Sequence, residues 1–587
     1  MNIEKQGNRC YLKKYMAKVG VYMNTVVSVG KQNFQSLREN GYFYIDKTDF
    51  IKEWWEAGDE VTLITRPRRF GKTLNMNMLE CFFSIKYKER SDLFEGLHIW
   101  ENENYRQLQG THPVIFLSFA DVKQENYKDA IKKIKSILTK LYDERYYLAD
   151  WNGLTPNERK QFLSVSADMD DVTAQDALKN LSDYLSRYYK KNVLILLDEY
   201  DTPMQEAYLG GYWDEFTAFI RSLFNSTFKT NPYLERAILT GITQVSKESI
   251  FSDLNNPKVV TTTSKQYETS FGFTEKEVFS SLEYFDLSDW KQSVKDWYDG
   301  FTFGKHTDIY NPWSIINFLD TKGEFDTYWA NTSSNRLVSK LLQEGSNRLK
   351  INFELLLKGE SIRCPIDEQI VYNQLDEDDD AIWSLMLASG YLKVLKFEQM
   401  DQIIYDEEPL YELAITNHEV KRMFRKMVRG WFKKTKWDYN DFVKAMLCGD
   451  VDEMNEYMNL VTEQVFSNFD TGKSPSQRHP ERFYHGFVLG LIVELSEKYL
   501  ITSNRESGFG RYDVMIEPKN KDDDAIILEF KVFNAKKEKT LEETVQAALS
   551  QIEEKKYESQ LLVRGFRKEQ IRKYGFAFEG KNVLIGE

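Results

Sequence analysis

Two hydrophobic periods run through this chain. Short unbroken apolar runs bounded by turn or charged residues predict buried strands, and apolar side chains every three or four residues predict helices. Val61-Thr-Leu-Ile-Thr65 is a run of the first kind, and Leu74 to Phe83 behind it reads as a helix. Val193-Leu-Ile-Leu-Leu197 is apolar throughout, the pattern of a central parallel strand covered on both faces. Ala237-Ile-Leu-Thr240 gives a third strand. Residues 29–304 are therefore expected to form an α/β domain on a parallel sheet, after an N-terminal extension of residues 1–28.

Beyond it the pattern changes. Residues 305–467 carry helical periodicity. Ile382 to Ala388 reads as a helix, Tyr391 to Leu395 and Ile403 to Tyr405 as a hairpin, and a second helix starts at Asn417. That order resembles a winged-helix module. Residues 468–480 are polar, with Gly472, Pro475 and Pro480, and read as a linker. Residues 481–587 return to mixed α/β. A helix from Pro480 to Tyr499 would carry Phe483, Phe487, Leu491 and Leu495 on one stripe. Strands are expected at Gly508 to Ile516 and Ala525 to Val532, and a helix at Glu542 to Tyr557.

At 587 residues the chain needs several cores. Its net charge of −13 means that any nucleic-acid contact must use a local basic patch. One candidate is Lys421 to Trp437, where Lys421, Arg422, Arg425, Lys426, Arg429, Lys433, Lys434 and Lys436 interleave with Phe424, Trp431, Phe432 and Trp437. Phosphate contact with base stacking is one reading, and an amphipathic helix with a solvated basic face is the other. The four cysteines, Cys10, Cys81, Cys364 and Cys448, have no metal-ligand spacing and read as reduced thiols. No apolar stretch is long enough to span a membrane, and Met1 to Lys18 lacks a signal-peptide core. A cytoplasmic location is the expectation.

The chemistry gathers at strand ends. Arg66-Pro-Arg-Arg-Phe-Gly-Lys-Thr73 lies between a strand and a helix, the context of a phosphate-binding loop. Gly71 lets backbone approach phosphate oxygens, Lys72 supplies a point charge, and Thr73 offers a hydroxyl to magnesium. The helix N-terminus adds unpaired N–H donors. Arg66, Arg68 and Arg69 make the loop basic and are counted among its nucleotide contacts. Asp198 and Glu199 end the Val193 strand, where α/β sheets bind ligands. Asp198 is expected on magnesium and Glu199 on the attacking water. Thr243, after the third strand, is a candidate sensor of the terminal phosphate.

A second group lies near the C-terminus. Glu529 and Lys531, two apart on a strand, face the same way, and Asp513 on the preceding strand can meet them. Two carboxylates suit magnesium or manganese, and the lysine can orient or activate a water or steady developing phosphorane charge. Asp513, Glu529 and Lys531 are the expected catalytic set there, with Asp513 and Glu529 as metal ligands.

These residues carry a resemblance. Tyr44-Ile-Asp-Lys-Thr48, the Arg66–Thr73 loop, Leu197-Asp-Glu-Tyr-Asp201, Thr240-Gly-Ile-Thr243, Asn255-Asn-Pro257, Phe271-Gly-Phe-Thr274 and Trp297-Tyr-Asp-Gly-Phe301 resemble the AAA-ATPase-like family of bacterial P-loop proteins. Proteins of that family usually end in a PD-(D/E)XK nuclease-like domain. The likeness runs from about residue 27 to 310 and again from about 480 to the end. It implies that the arginine-rich loop replaces the first glycine of the usual phosphate loop. It also implies Glu481 as a helix-borne acid, and Gln551 with Tyr557 as trailing partners of the nuclease site. The expected function is an ATPase coupled to a metal-dependent nuclease, using ATP and Mg2+ or Mn2+, acting on DNA in preference to RNA, with assembly into homo-oligomers. The alternative is a nucleotide-regulated module whose nuclease fold only grips nucleic acid or protein.

Overall fold

The computed structural model describes residues 21–22, 26–245, 257–329, 336–367, 369–370, 372, 375, 378–397, 409–431, 439–466, 488, 492, 495, 498–503, 506–507, 510–511, 513–535, 537–579 and 582–587. The chain divides into two compact units, Met1–Leu337 with Arg363–Lys421, and Val338–Ile362 with Arg422–Glu587. Among the described residues no helix is long and apolar enough to cross a membrane.

The first unit is built on five parallel strands, β1 (Val61–Thr65), β2 (Val114–Ser118), β3 (Val193–Asp198), β4 (Leu234–Gly241) and β5 (Lys258–Val260). Their order is β2-β3-β4-β1-β5. Every residue of β1 and β3 is buried, as an apolar run without alternation requires. Helix α1 (Lys72–Phe83) follows β1 after the arginine-rich loop, and α2 (Thr202–Gly210) follows β3. Because β4 lies between β1 and β3, the C-terminal ends of three neighbouring strands share one edge, the ligand-binding edge of such sheets.

This unit does not stop at residue 304. Strands β6 (Phe273–Thr274), β7 (Phe301–Phe303) and β8 (His306–Tyr310) form an antiparallel sheet in the order β7-β8-β6. The expected boundary falls in the β7–β8 turn. Helix α3 (Pro312–Asp320) follows, and Ile315 and Phe318 join Phe43, Ile45, Phe273 and Tyr310 in one core. The apolar periodicity of 312–320 is thus that of a helix covering the first domain.

The middle region is not purely helical. Strands β9 (Ile362–Pro365), β10 (Leu392–Phe397) and β11 (Leu410–Ile415) form a small sheet with β11 at its centre. Helix α4 (Asp379–Ala388) precedes the hairpin and α5 (His418–Trp431) follows it. The second hairpin strand is therefore at 410–415. Ile403 to Tyr405, expected there, lie outside the described residues. In α5, Phe424 is fully buried, edge-on to Phe353 at 5.1 Å, with Met423 and Val428 also buried. This ring belongs to the inward face of an amphipathic helix and cannot stack on bases. The remainder of that basic segment, residues 432–437, lies outside the described residues.

The second unit contains a five-stranded mixed sheet, β12 (Tyr499–Ser503), β13 (Val514–Pro518), β14 (Ala525–Val532), β15 (Ile571–Glu579) and β16 (Asn582–Gly586), in chain order across the sheet. Only β14 and β15 run parallel, and α6 (Leu541–Glu554) makes the crossover that a parallel pair needs. Tyr499 begins a strand rather than ending a helix. Glu481, Phe483, Phe487, Leu491, the linker 468–480 and the Gly508-Phe509 start of the expected strand lie outside the described residues.

Candidate functional sites

In the first unit the loop after β1 is shaped by backbone that most residues avoid. Arg69 has φ +66° and Gly71 φ +82°. At Gly71 a Cβ would have space but not the dihedral, so glycine is required by conformation. Gly71 caps α1 without a side-chain acceptor, leaving the first N–H groups of the helix toward the loop. Lys72 is buried, and its Nζ donates to the carbonyls of Arg66 and Pro67, both at 2.9 Å. Burial holds its ammonium below the ordinary lysine range, against the opposite pull of Glu199, Asp201 and Asp198.

Three strand ends then converge. Thr73 donates its hydroxyl to Asp198 Oδ2 at 2.7 Å, and Thr240 of β4 donates to Asp198 Oδ1 at 2.5 Å. Burial pushes the Asp198 carboxyl up while these two hydroxyls pull it down. Glu199 sits at φ +51°, and Thr202 on the first turn of α2 donates to its Oε2 at 3.0 Å. Arg68 reaches α2 as well, donating to Gln205 Oε1 at 3.3 Å. A cleft of about 530 Å³ opens here, lined by Arg68, Arg69, Gly71, Lys72, Thr73, Asp198 and Glu199 among others.

Two expected contacts are placed elsewhere. Arg66 is fully buried with its guanidinium turned to the back of the loop. It donates to the carbonyls of Thr65 and Thr261 at 2.8 and 2.6 Å and lies over Phe303 at 4.6 Å. Its side chain braces the loop, and its carbonyl receives Lys72. Thr243 is also buried, with its hydroxyl on Asp201 Oδ2 at 2.9 Å. Asp201 accepts from the backbone of Ile242 and Thr243 too, at 2.8 Å each. The pair fixes the turn after β4, and Thr243 is not among the residues lining the cleft.

Spacing gave no role to Thr240 or to the Tyr44–Thr48 element. Tyr44, Ile45 and Lys47 line the same cleft, and Lys47 pairs with Glu277 at 2.8 Å while donating to Thr269 O at 2.9 Å. Nothing in a five-residue element signals such a distant partner. The Trp297–Phe301 element resolves similarly. Its Asp299 lies with Glu275 and Asp308, and Lys295 reaches the last two at 2.5 and 2.9 Å.

The second unit holds the other group. Asp513 sits just before β13, and its Oδ2 accepts from the backbone N–H of Phe530 at 2.8 Å. That bond ties it beside Glu529 on β14. Lys531 projects from the same strand face and donates to Gln551 Oε1 at 2.7 Å. Gln551 donates to Glu529 Oε1 and lies 3.1 Å from the Tyr557 hydroxyl. Glu529 is 2% exposed. Burial first, and Asp513 second, push its carboxyl up to about 8, while Lys531 draws it down. Its Oε2 is buried with no hydrogen-bond partner among the described residues. A buried orphan carboxylate oxygen beside a second carboxylate fits a hard divalent cation, with oxygen ligands from Asp513 and Glu529.

Residues 28–251 match the family described as a predicted AAA-ATPase. Residues 479–587 match the PD-(D/E)XK nuclease superfamily. The chain is also similar to a protein of Azotobacter chroococcum mcd 1 called "Uncharacterized protein in vnfD 5′ region". The two are 25% identical over 400 residues, covering 67% of this chain and 68% of that one. The two family matches agree with the resemblance carried by the motifs.

Proposed function

We propose that this chain, with its AAA-ATPase-like domain and its PD-(D/E)XK nuclease domain, hydrolyses ATP at one site and cuts nucleic acid at the other. The bond between Thr73 and Asp198 carries the nucleotide reading, because it unites the two motifs that magnesium would bridge. In this reading Lys72 swings from the loop carbonyls to the phosphates, Arg68 and Arg69 add charge, and Glu199 orients water. Bound magnesium would neutralise charge on the phosphates, with Thr73 and Asp198 as its protein contacts.

The nuclease reading rests on the orphan oxygen of Glu529. Asp513 and Glu529 would hold Mg2+ or Mn2+, which supplies Lewis acidity toward a phosphodiester. Lys531 steadies the developing negative charge, and Gln551 sets both Lys531 and Glu529 in position. DNA is the proposed substrate, with a cytoplasmic location and self-assembly as parts of the same reading. One observation favours the silent-fold alternative: the Lys531 ammonium is already engaged by Gln551. Incubation of the full chain with labelled DNA and RNA panels, with Mg2+ or Mn2+, with and without ATP, tests the proposal. Metal-dependent cutting supports it, and binding without cutting favours the alternative.

A further inference from the structure

The cleft is larger than a triphosphate needs. It extends from Lys72 and Thr73 to a wall that includes Phe43, Ile45, Phe273, Trp313 and Ile316. A triphosphate with its counter-ion is polar from end to end and gains nothing from apolar carbon. A flat, weakly polar ring system does gain.

Trp313 is fixed for such a contact. Its indole N–H donates to Tyr328 O at 3.1 Å, and its backbone N–H donates to the capping side chain of Asn311 at 2.9 Å. The guanidinium of Arg69 lies over the ring, 4.3 Å from the centroid. Arg69 is also the loop residue with φ +66°. A non-glycine residue rarely adopts that conformation, and strain of this kind concentrates at ligand clamps. A planar cation thus covers the platform, and its chain origin lies three residues from the phosphate lysine.

We propose that this end of the cleft is a nucleobase compartment. Trp313 is the stacking platform, and the Arg69 guanidinium is a placeholder that the base displaces, freeing it for the phosphates. The ligand class is a nucleoside triphosphate, as opposed to a bare polyphosphate. The inference rests on the nucleotide reading above.

The test compares two ligands on the full chain by calorimetry, ATP and inorganic tripolyphosphate, each with Mg2+. The wild type should bind ATP about tenfold to a hundredfold more tightly, the range gained when a base stacks on an aromatic ring. Trp313→Ala should lose that margin and bind tripolyphosphate at least as tightly as wild type, because Arg69 is no longer held on the ring; this also reports an intact fold and loop. Trp313→Leu, which fills the space without a π face, should behave likewise, and Trp313→Phe should retain most of the margin. A margin that survives both Trp313→Ala and Trp313→Leu overturns the proposal. So does an equal loss for both ligands, or a wild type that does not distinguish them. If the wild type binds neither ligand, the nucleotide reading falls and takes this inference with it.

Discussion

Thr73 and Asp198, 125 residues apart in sequence, share a 2.7 Å hydrogen bond at the C-terminal edge of the parallel sheet. The hydroxyl comes from the first turn of α1 and the carboxylate from the end of β3. An octahedral magnesium ion takes this kind of donor set, with water completing its shell. Thr73→Ala should therefore weaken ATP binding in the presence of Mg2+ while leaving Mg2+-free binding nearly unchanged. A tenfold loss corresponds to about 1.4 kcal/mol. Titration of a fluorescent ATP analogue with and without Mg2+ measures the difference.

Lys72 is the lysine at the loop-to-helix junction, poised on two loop carbonyls. Lys72→Ala should abolish ATP binding with little change in thermal unfolding. Undiminished ATP binding in a variant that melts like wild type would remove the phosphate-loop assignment.

Glu199 is held at positive φ with Thr202 on one oxygen, and Asp198 already supplies the carboxylate beside Thr73. Glu199→Gln should bind ATP at near wild-type affinity and turn it over far more slowly, on the order of a hundredfold or more for a water-positioning group. Phosphate release under saturating ATP is the readout. Equal turnover would move the role elsewhere. Asp201 is the next candidate, with backbone N–H groups and Thr243 on its Oδ2.

Much of this was legible because the signals were local. Val193 to Leu197 could only be a doubly covered strand, and the carboxylates at its end had to reach the sheet edge. Glu529 and Lys531 shared a face by strand period alone. The errors came from long-range contacts. Arg66 reads as one more basic loop residue, but Phe303 and the Thr261 carbonyl, more than 190 residues away, capture its guanidinium. Thr243 sits in a turn organised by Asp201, which comes from just beyond the end of a different strand, a contact that local sequence does not show. The first unit runs past residue 304 because β8 pairs back to Phe273-Thr274, a pairing that helical periodicity beyond it does not reveal.

Glu529 gives the second unit a pH signature. Its folded-state pKa is raised, so between the ordinary glutamate range and about pH 8 the native state holds a proton that the unfolded chain has released. Metal-free stability should fall as pH rises through that window. Glu529→Gln should remove this dependence. Saturating Mn2+ should oppose it, because a metal-bound carboxylate must be deprotonated. Chemical unfolding in chelator and in Mn2+, at pH 5.5 and pH 8.5, tests the sign.

The most direct measurement is metal-dependent cleavage of labelled nucleic acid by wild type, Asp513→Ala and Lys531→Ala, with Mn2+ stabilisation followed in the same samples. Asp513 is a proposed ligand, so its loss should abolish both cleavage and metal stabilisation. Lys531 is not a ligand, so Lys531→Ala should keep the stabilisation and lose cleavage by about a thousandfold, about 4 kcal/mol of transition-state stabilisation. Cleavage undiminished in both variants, or a wild type that cuts nothing across DNA and RNA while still binding them, would contradict the account.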